Sequence, residues 1–182
     1  MTLHVFNPEH DIALAYDNKY FTAPHAGRQL RNDLDYLPVL WAEEGDYVLV
    51  ENVSSAQQHA LRLQRYGKQV NFVDKNGVER LSEQIDKVLP WGWDSSIKFQ
   101  LGQMGVNLSV LPDDEMLTNV RRLSNRQFSS AVLKELQESF VHPILLGKSS
   151  YVDSIIELES ILQSLGKAVI KAPWSSSGRG VR

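Results

Sequence analysis

Lys171 stands near the end of an apolar run, Lys167 to Ala172, that leads into Pro173-Trp174-Ser175-Ser176-Ser177-Gly178-Arg179-Gly180. A strand that delivers an ammonium group into a loop of serines and glycines gathers a cation, hydroxyls and backbone N–H groups around one point, which suits a polyphosphate. Gly178 and Gly180 permit positive φ and close approach of the backbone, and Ser175, Ser176 and Ser177 add hydroxyl donors. The stretch is not a Walker loop, because the glycine spacing and the trailing Lys-Ser or Lys-Thr are missing. Residue types alone leave 175 to 182 open between a phosphate loop and a tail.

A second group of chemically capable residues is Asn7-Pro8-Glu9-His10-Asp11, directly after the apolar run Leu3 to Phe6. Ligands of open parallel sheets gather at the carboxyl ends of strands, so Asn7, Glu9, His10 and Asp11 are candidates to bind a substrate amine or to move a proton. The bland alternative is that Asp11 caps the next helix and the others are solvated. Asn52, Ser54 and Ser55 follow a second apolar run and have the same standing. Trp91 and Trp93 flank Gly92 and could wall a pocket, with Asp94 accepting from a ligand, or could be packing anchors between layers. No metal partner for His10 is visible in the sequence, and no hydrolase elbow or kinase set is present.

The elements that must position these groups follow from pattern. Leu3 to Phe6, Tyr47 to Val50 and Val70 to Val73 read as buried strands, the first stopped by Asn7-Pro8. His25 to Leu37, with Leu30, Leu34 and Leu37 at helical spacing, supplies the crossover from the first to the second strand. Gln57 to Tyr66, with a serine cap before it and Gly67 after it, supplies the next. Pro90-Trp91-Gly92-Trp93-Asp94 is expected to end one helix and start another, capped by Asp94 or Ser95 and running toward Met104. A fourth strand is expected around Leu108 to Leu111. The acidic turn Pro112-Asp113-Asp114 marks a boundary between a domain of residues 1–117 and one of residues 118–182. Beyond it, a polar helix from Thr118 to Ser139 is interrupted at Ser124-Asn125-Arg126. An amphipathic helix from Ser154 to Leu165 ends at Gly166, and a strand from Lys167 to Ala172 completes the series.

Composition narrows the function classes. A chain of 182 residues, 42% apolar, can bury a core. The absence of cysteine excludes disulfides and thiolate chemistry. A formal charge of -3 with interspersed signs provides no field for a polyanion, and the basic clusters, Arg121-Arg122 with Arg126 and Arg179 with Arg182, are short. No apolar stretch approaches the roughly 20 residues of a membrane span, and Met1-Thr2-Leu3-His4 does not open a signal peptide. The expected location is cytoplasmic.

The run Lys171 to Val181 resembles the ATP-grasp signature, in which a strand lysine precedes a mobile glycine-rich loop. Leu123-Ser124-Asn125-Arg126-Gln127-Phe128, with its helix to Leu136 and then His142-Pro143, resembles the opening helix of that family. The resemblance covers residues 118 to 182 by motif, and residues 1 to 111 only as a plausible preceding α/β domain. It implies a parallel-sheet, Rossmann-like α/β domain followed by an incomplete ATP-grasp α+β subdomain that stops within the glycine-rich loop. It further implies that Lys171 holds the α and β phosphates of ATP, that Ser175 to Gly180 close over them, and that Arg126 stands where many members place a second phosphate-contacting lysine. The whole protein would be an ATP- and magnesium-dependent ligase that phosphorylates a small-molecule carboxylate and joins it to an amine or thiol. The adenine hinge and the magnesium-holding residues lie beyond the matched segment, so these residues are expected not to catalyse alone. ATP and a carboxylate are the expected partners, nucleic acid and membrane are not, and a homodimer is left open. The reading from another class is a non-catalytic α/β binding or interaction module.

Overall fold

The computed structural model describes residues 1–140 and 147–175. The chain divides into two compact units, Met1–Thr118 and Asn119–Arg182.

The first unit is a mixed α/β fold. Four parallel strands, β1 (Thr2–Val5), β2 (Tyr47–Leu49), β3 (Asn71–Val73) and β4 (Lys87–Pro90), form one sheet in the order β3-β2-β1-β4. Between β1 and β2 lie α1 (His10–Tyr16), α2 (His25–Leu34) and a 3-10 turn (Leu37–Leu40). α3 (Val53–Leu61) joins β2 to β3, α4 (Lys75–Leu81) joins β3 to β4, and α5 (Ser95–Gln103) follows β4. This is consistent with a generic Rossmann-like arrangement.

The alternation of strand side chains assigns the two faces. Leu3, Val5 and Val88 point to one side and pack with Val78 of α4 and with Ile97 and Leu101 of α5. Val48 and Val50 point to the other, with Ala56 of α3 and Phe72. Both faces of β1 and β2 are therefore covered, which is why these strands read as short continuous apolar runs.

Between Leu3 and Val5, the buried His4 takes the opposite face, and its Nε2 meets Asp46 Oδ2 at 2.9 Å. The same carboxylate oxygen accepts from Glu43 N at 3.1 Å. Burial pushes the Asp46 carboxyl up, but the His4 and Glu43 hydrogen bonds outweigh it and hold the group below its ordinary 3.8. A lowered folded value means that this stabilisation is complete above the ordinary value and is lost as pH falls through the folded one. Asp46→Asn should accordingly lose less stability than the wild type on acidification below about pH 4. Coincident acid limbs in the two denaturation profiles would remove the pair as a contributor.

Helix starts in this unit fall just beyond the carboxyl ends of strands and are capped there. Asn52 Oδ1 accepts from Ser55 N at 2.9 Å, Asp74 Oδ1 from Gly77 N at 2.7 Å, and Asp94 Oδ1 from Ser96 N and Ile97 N, both at 2.9 Å. The α3 cap is thus Asn52 and not the expected serine. Glu9, not Asp11, occupies the N-cap position of α1, and Asp11 sits in its first turn without capping it.

Two expected elements differ. Residues before Pro90 form β4 and not a helix, because Lys87-Val88-Leu89-Pro90 pairs along Thr2 to Val5. Proline is tolerated at the end of this edge strand. Leu108–Val110 is a 3-10 turn and not a fourth strand, closed by Asn107 Oδ1 accepting from Ser109 N at 2.9 Å.

α6 (Asp114–Ser124) begins in the first unit and ends in the second, where α7 (Arg126–Ser139) follows after a break at Asn125, whose side chain accepts from Gln127 N at 2.8 Å. α8 (Ile155–Leu165) starts on the Ser154 cap and stops at Gly166, which takes φ 71°. Leu158, Ile161 and Leu162 are half-buried, whereas Ile155 and Ile156 are exposed. The expected strand from Lys167 to Ala172 is reduced to a single bridge at Lys171. Among the described residues no helix is long and apolar enough to cross a membrane.

Candidate functional site

The chain runs from β1 outward through β2 to β3 and then returns to β4 on the other side of β1. Strand order therefore reverses between β1 and β4, the kind of position at which open α/β sheets receive ligands outside the carboxyl ends of their strands. Asn7 to His10 and Trp91 to Asp94 meet at this point.

Asn7 is 2% exposed and extends the β1–β4 pairing by side chain. Trp91 N donates to Val5 O at 2.7 Å; next, Asn7 Nδ2 donates to Gly92 O at 2.8 Å and Gly92 N donates to Asn7 Oδ1 at 3.2 Å. A primary amide reproduces both halves of a peptide unit, so it carries the ladder past Pro90, where the backbones separate. Asn7 Nδ2 also reaches Asp94 Oδ2 at 3.3 Å. His10 Nδ1 lies 3.2 Å from the same oxygen. Asp94, 3% exposed, thus has one oxygen committed to the start of α5 and the other to Asn7 and His10. The imidazole lies against Gly92, where a Cβ would come within 2.3–2.5 Å of three ring atoms.

Glu9 is drawn to α2 instead. Arg31 Nη1 donates to Glu9 Oε1 at 2.9 Å, while Glu9 Oε2 is buried with no hydrogen-bond partner among the described residues. Arg31 also lines a cavity of about 620 Å³ along the carboxyl ends of β2 and β3, together with Asp35, Glu51, Asp74, Lys75 and Gln100. Burial raises the Asp35 carboxyl above its ordinary value and the charge of Glu51 adds to this, whereas the hydrogen bond from Glu51 N, at 2.7 Å, and the Arg31 charge oppose it. Asp35 therefore favours its neutral form more than a surface aspartate does.

The other expected residues separate. Asp11 is half-buried and takes no part in the contacts among Asn7, His10 and Asp94. Trp91 is 61% exposed, with its ring 5.6 Å from Phe6 and 5.9 Å from Trp41. Trp93 packs on the main core, so the two indoles do not wall a common pocket. Gly92 as the seat of the imidazole, Arg31, Asp35 and Glu51 escaped the sequence reading. Once Lys87–Pro90 is recognised as a strand, the Trp91–Asp94 loop falls beside Asn7.

In the second unit Lys171 is exposed. Arg126 turns its guanidinium toward the chain that follows: Nε donates to Ala172 O at 3.0 Å, and Nη2 to Ser175 O and, at 3.1 Å, to Ser175 Oγ. The Arg126 backbone N–H donates to Pro173 O at 3.0 Å. Trp174 Nε1 donates to Arg121 O at 3.0 Å, and the Arg121 guanidinium lies 4.2 Å from the Trp174 ring centroid. Ser176, Ser177, Gly178 and Gly180 lie outside the described residues.

A parallel α/β unit with a polar cluster at the reversal of strand order, and a second unit with an arginine-held turn after Lys171, are what the geometry defines. Comparison of the chain with protein-family models, with curated proteins and with solved structures finds no match.

Proposed function

We propose that the chain is the N-terminal part of an ATP-grasp-type ligase, in which the first unit holds a small-molecule substrate and the second grips the phosphates of ATP. The finer fold in this reading is a Rossmann-like domain followed by the opening of an ATP-grasp subdomain. The observation that carries it is the hold of Arg126 on the carbonyls of Ala172, Pro173 and Ser175. An arginine fork holds the turn directly after Lys171, where the resemblance places the start of a glycine-rich loop, while Lys171 stays exposed beside it.

Arg126 then serves as the root of the loop through Nε and Nη2, while Nη1 meets no described partner and could make the second phosphate contact. Lys171 and the N–H groups of residues 175–180 would stabilise charge on the phosphoryl group as it passes to a carboxylate, leaving an acyl phosphate for an amine or thiol to attack. Magnesium belongs to that chemistry. Among the described residues no three His, Asp or Glu side chains stand close enough to hold a metal ion, so no step here runs through one.

The test is a titration of the 182-residue chain with ATP, GTP and inorganic tripolyphosphate. Because the grip is on phosphates, the three should compete with similar affinity, and Lys171→Ala should weaken each by about tenfold or more, a loss of roughly 1.4 kcal/mol. Unchanged affinity in Lys171→Ala would take that residue out of the site. The first unit would then stand as a ligand-binding module on the strength of its cavity along the carboxyl ends of β2 and β3 alone.

A further inference from the structure

Capping α5 requires only one oxygen of Asp94, and Oδ1 does this alone by accepting from both Ser96 N and Ile97 N. Oδ2 is left to face Asn7 Nδ2 and His10 Nδ1. An ionised carboxylate only accepts hydrogen bonds, so the imidazole nitrogen facing it carries the proton and the lone pair of the neutral ring lies on Nε2. The His10 side chain is 15% exposed, and Nε2 is neither bonded to a described residue nor enclosed. Gly92 leaves room for the ring in this position, since any side chain there would collide with it. The Asp94 hydrogen bond thus sets the tautomer, and Gly92 admits the orientation, at the carboxyl ends of β1 and β4.

A helix cap needs no imidazole, and a solvated histidine needs no glycine beneath its ring. Together these constraints describe a base held by an orienting acid, an arrangement that recurs wherever a histidine must take a proton from a bound group.

We infer that His10 is the proton acceptor for a substrate bound at the carboxyl ends of β1 and β4, with Asp94 as its positioning residue. Under the ligase reading that substrate is the amine. R–NH3+ gives one proton to Nε2, leaving R–NH2 with its lone pair free to attack, and an imidazolium whose Nδ1–H remains against the Asp94 carboxylate. The choice of an amine rests on the ligase reading; the dyad and its tautomer do not.

Long-range 15N–1H correlation of the histidine rings in the wild-type chain near neutral pH needs no variant and reads the tautomer directly. The expected result is His10 protonated on Nδ1. Diethyl pyrocarbonate, which acylates an accessible unprotonated ring nitrogen, should modify His10 in the wild type and do so about fivefold more slowly or less in Asp94→Asn, with His25 and His59 unaffected. A proton on Nε2, or a carbethoxylation rate that Asp94→Asn leaves unchanged, overturns the assignment. Propylamine should perturb the His10 ring resonances where propionate does not. The reverse preference rejects the amine and its link to the ligase reading, while the tautomer decides the dyad by itself.

Discussion

Asp94→Ala is expected to destabilise the first unit by about 3 kcal/mol, read as a lower urea midpoint with an unchanged denaturant slope. The effect has two sources that act at one carboxylate. Removing the cap frees Ser96 N and Ile97 N at the start of α5, and loss of a cap of this kind costs about 1 kcal/mol. Removing Oδ2 takes away the partner of His10 Nδ1 and one of the two acceptors of Asn7 Nδ2, and a buried donor left unmatched costs about 1–3 kcal/mol. Asn7 keeps its bond to Gly92 O, which limits the second contribution. Asp94→Asn retains an acceptor for the helix start and should lose less than half as much. A midpoint for Asp94→Ala within error of the wild type would show that the cluster contributes nothing to the fold.

Gly92→Ala should cost about 1–3 kcal/mol, because a Cβ there would stand 2.3–2.5 Å from His10 Cγ, Cδ2 and Nε2, far inside contact distance. Relief requires the imidazole to swing away, and the swing breaks its bond to Asp94. The cost is therefore conditional on the ring. In a double-mutant cycle, Gly92→Ala placed in a His10→Ala background should be nearly neutral, giving a coupling of about 1 kcal/mol or more. Additivity of the two substitutions would place the strain in the Trp91–Trp93 backbone and not against the ring. The variant also serves the proton-acceptor inference: displacement of the ring should abolish the preferential acylation of His10.

The apolar runs that become β1 and β2 were legible because each is covered on both faces, and that of β3 because Phe72 and Val73 pack on the two cores; all are bounded by turn or cap residues, as Leu3 to Phe6 is by Asn7-Pro8. The break at Asn125 and the limits of α8 were legible because caps are local chemistry: Asn125 bonds two residues ahead, Ser154 three, and Gly166 takes a positive φ. β4 was not. Only Val88 of its four residues is buried, and its strand character comes from pairing with Thr2–Val5, 85 positions earlier. Without β4 the loop carrying Gly92 and Asp94 could not be placed beside Asn7 and His10, so the sequence offered the two halves of the cluster as unrelated candidates. The segment Lys167 to Ala172 shows the converse: an apolar pattern suffices to suggest a strand, but among the described residues it yields one bridge, at Lys171.

The amide of Asn7 pairing with Gly92, with Pro8 next in line, has a consequence for what can dock at this edge of the sheet. Pro8 has no N–H, the Asn7 carboxamide is spent on Gly92 and Asp94, and the N–H groups of His10, Ile12 and Ala13 are turned onto the carbonyls of Asn7 and Glu9. A pyrophosphate arriving at the end of β1 would thus not meet these groups as a cradle of amides. The turn after β1 favours a guest that gives a proton to His10 over one that demands donors from Asn7, His10, Ile12 and Ala13.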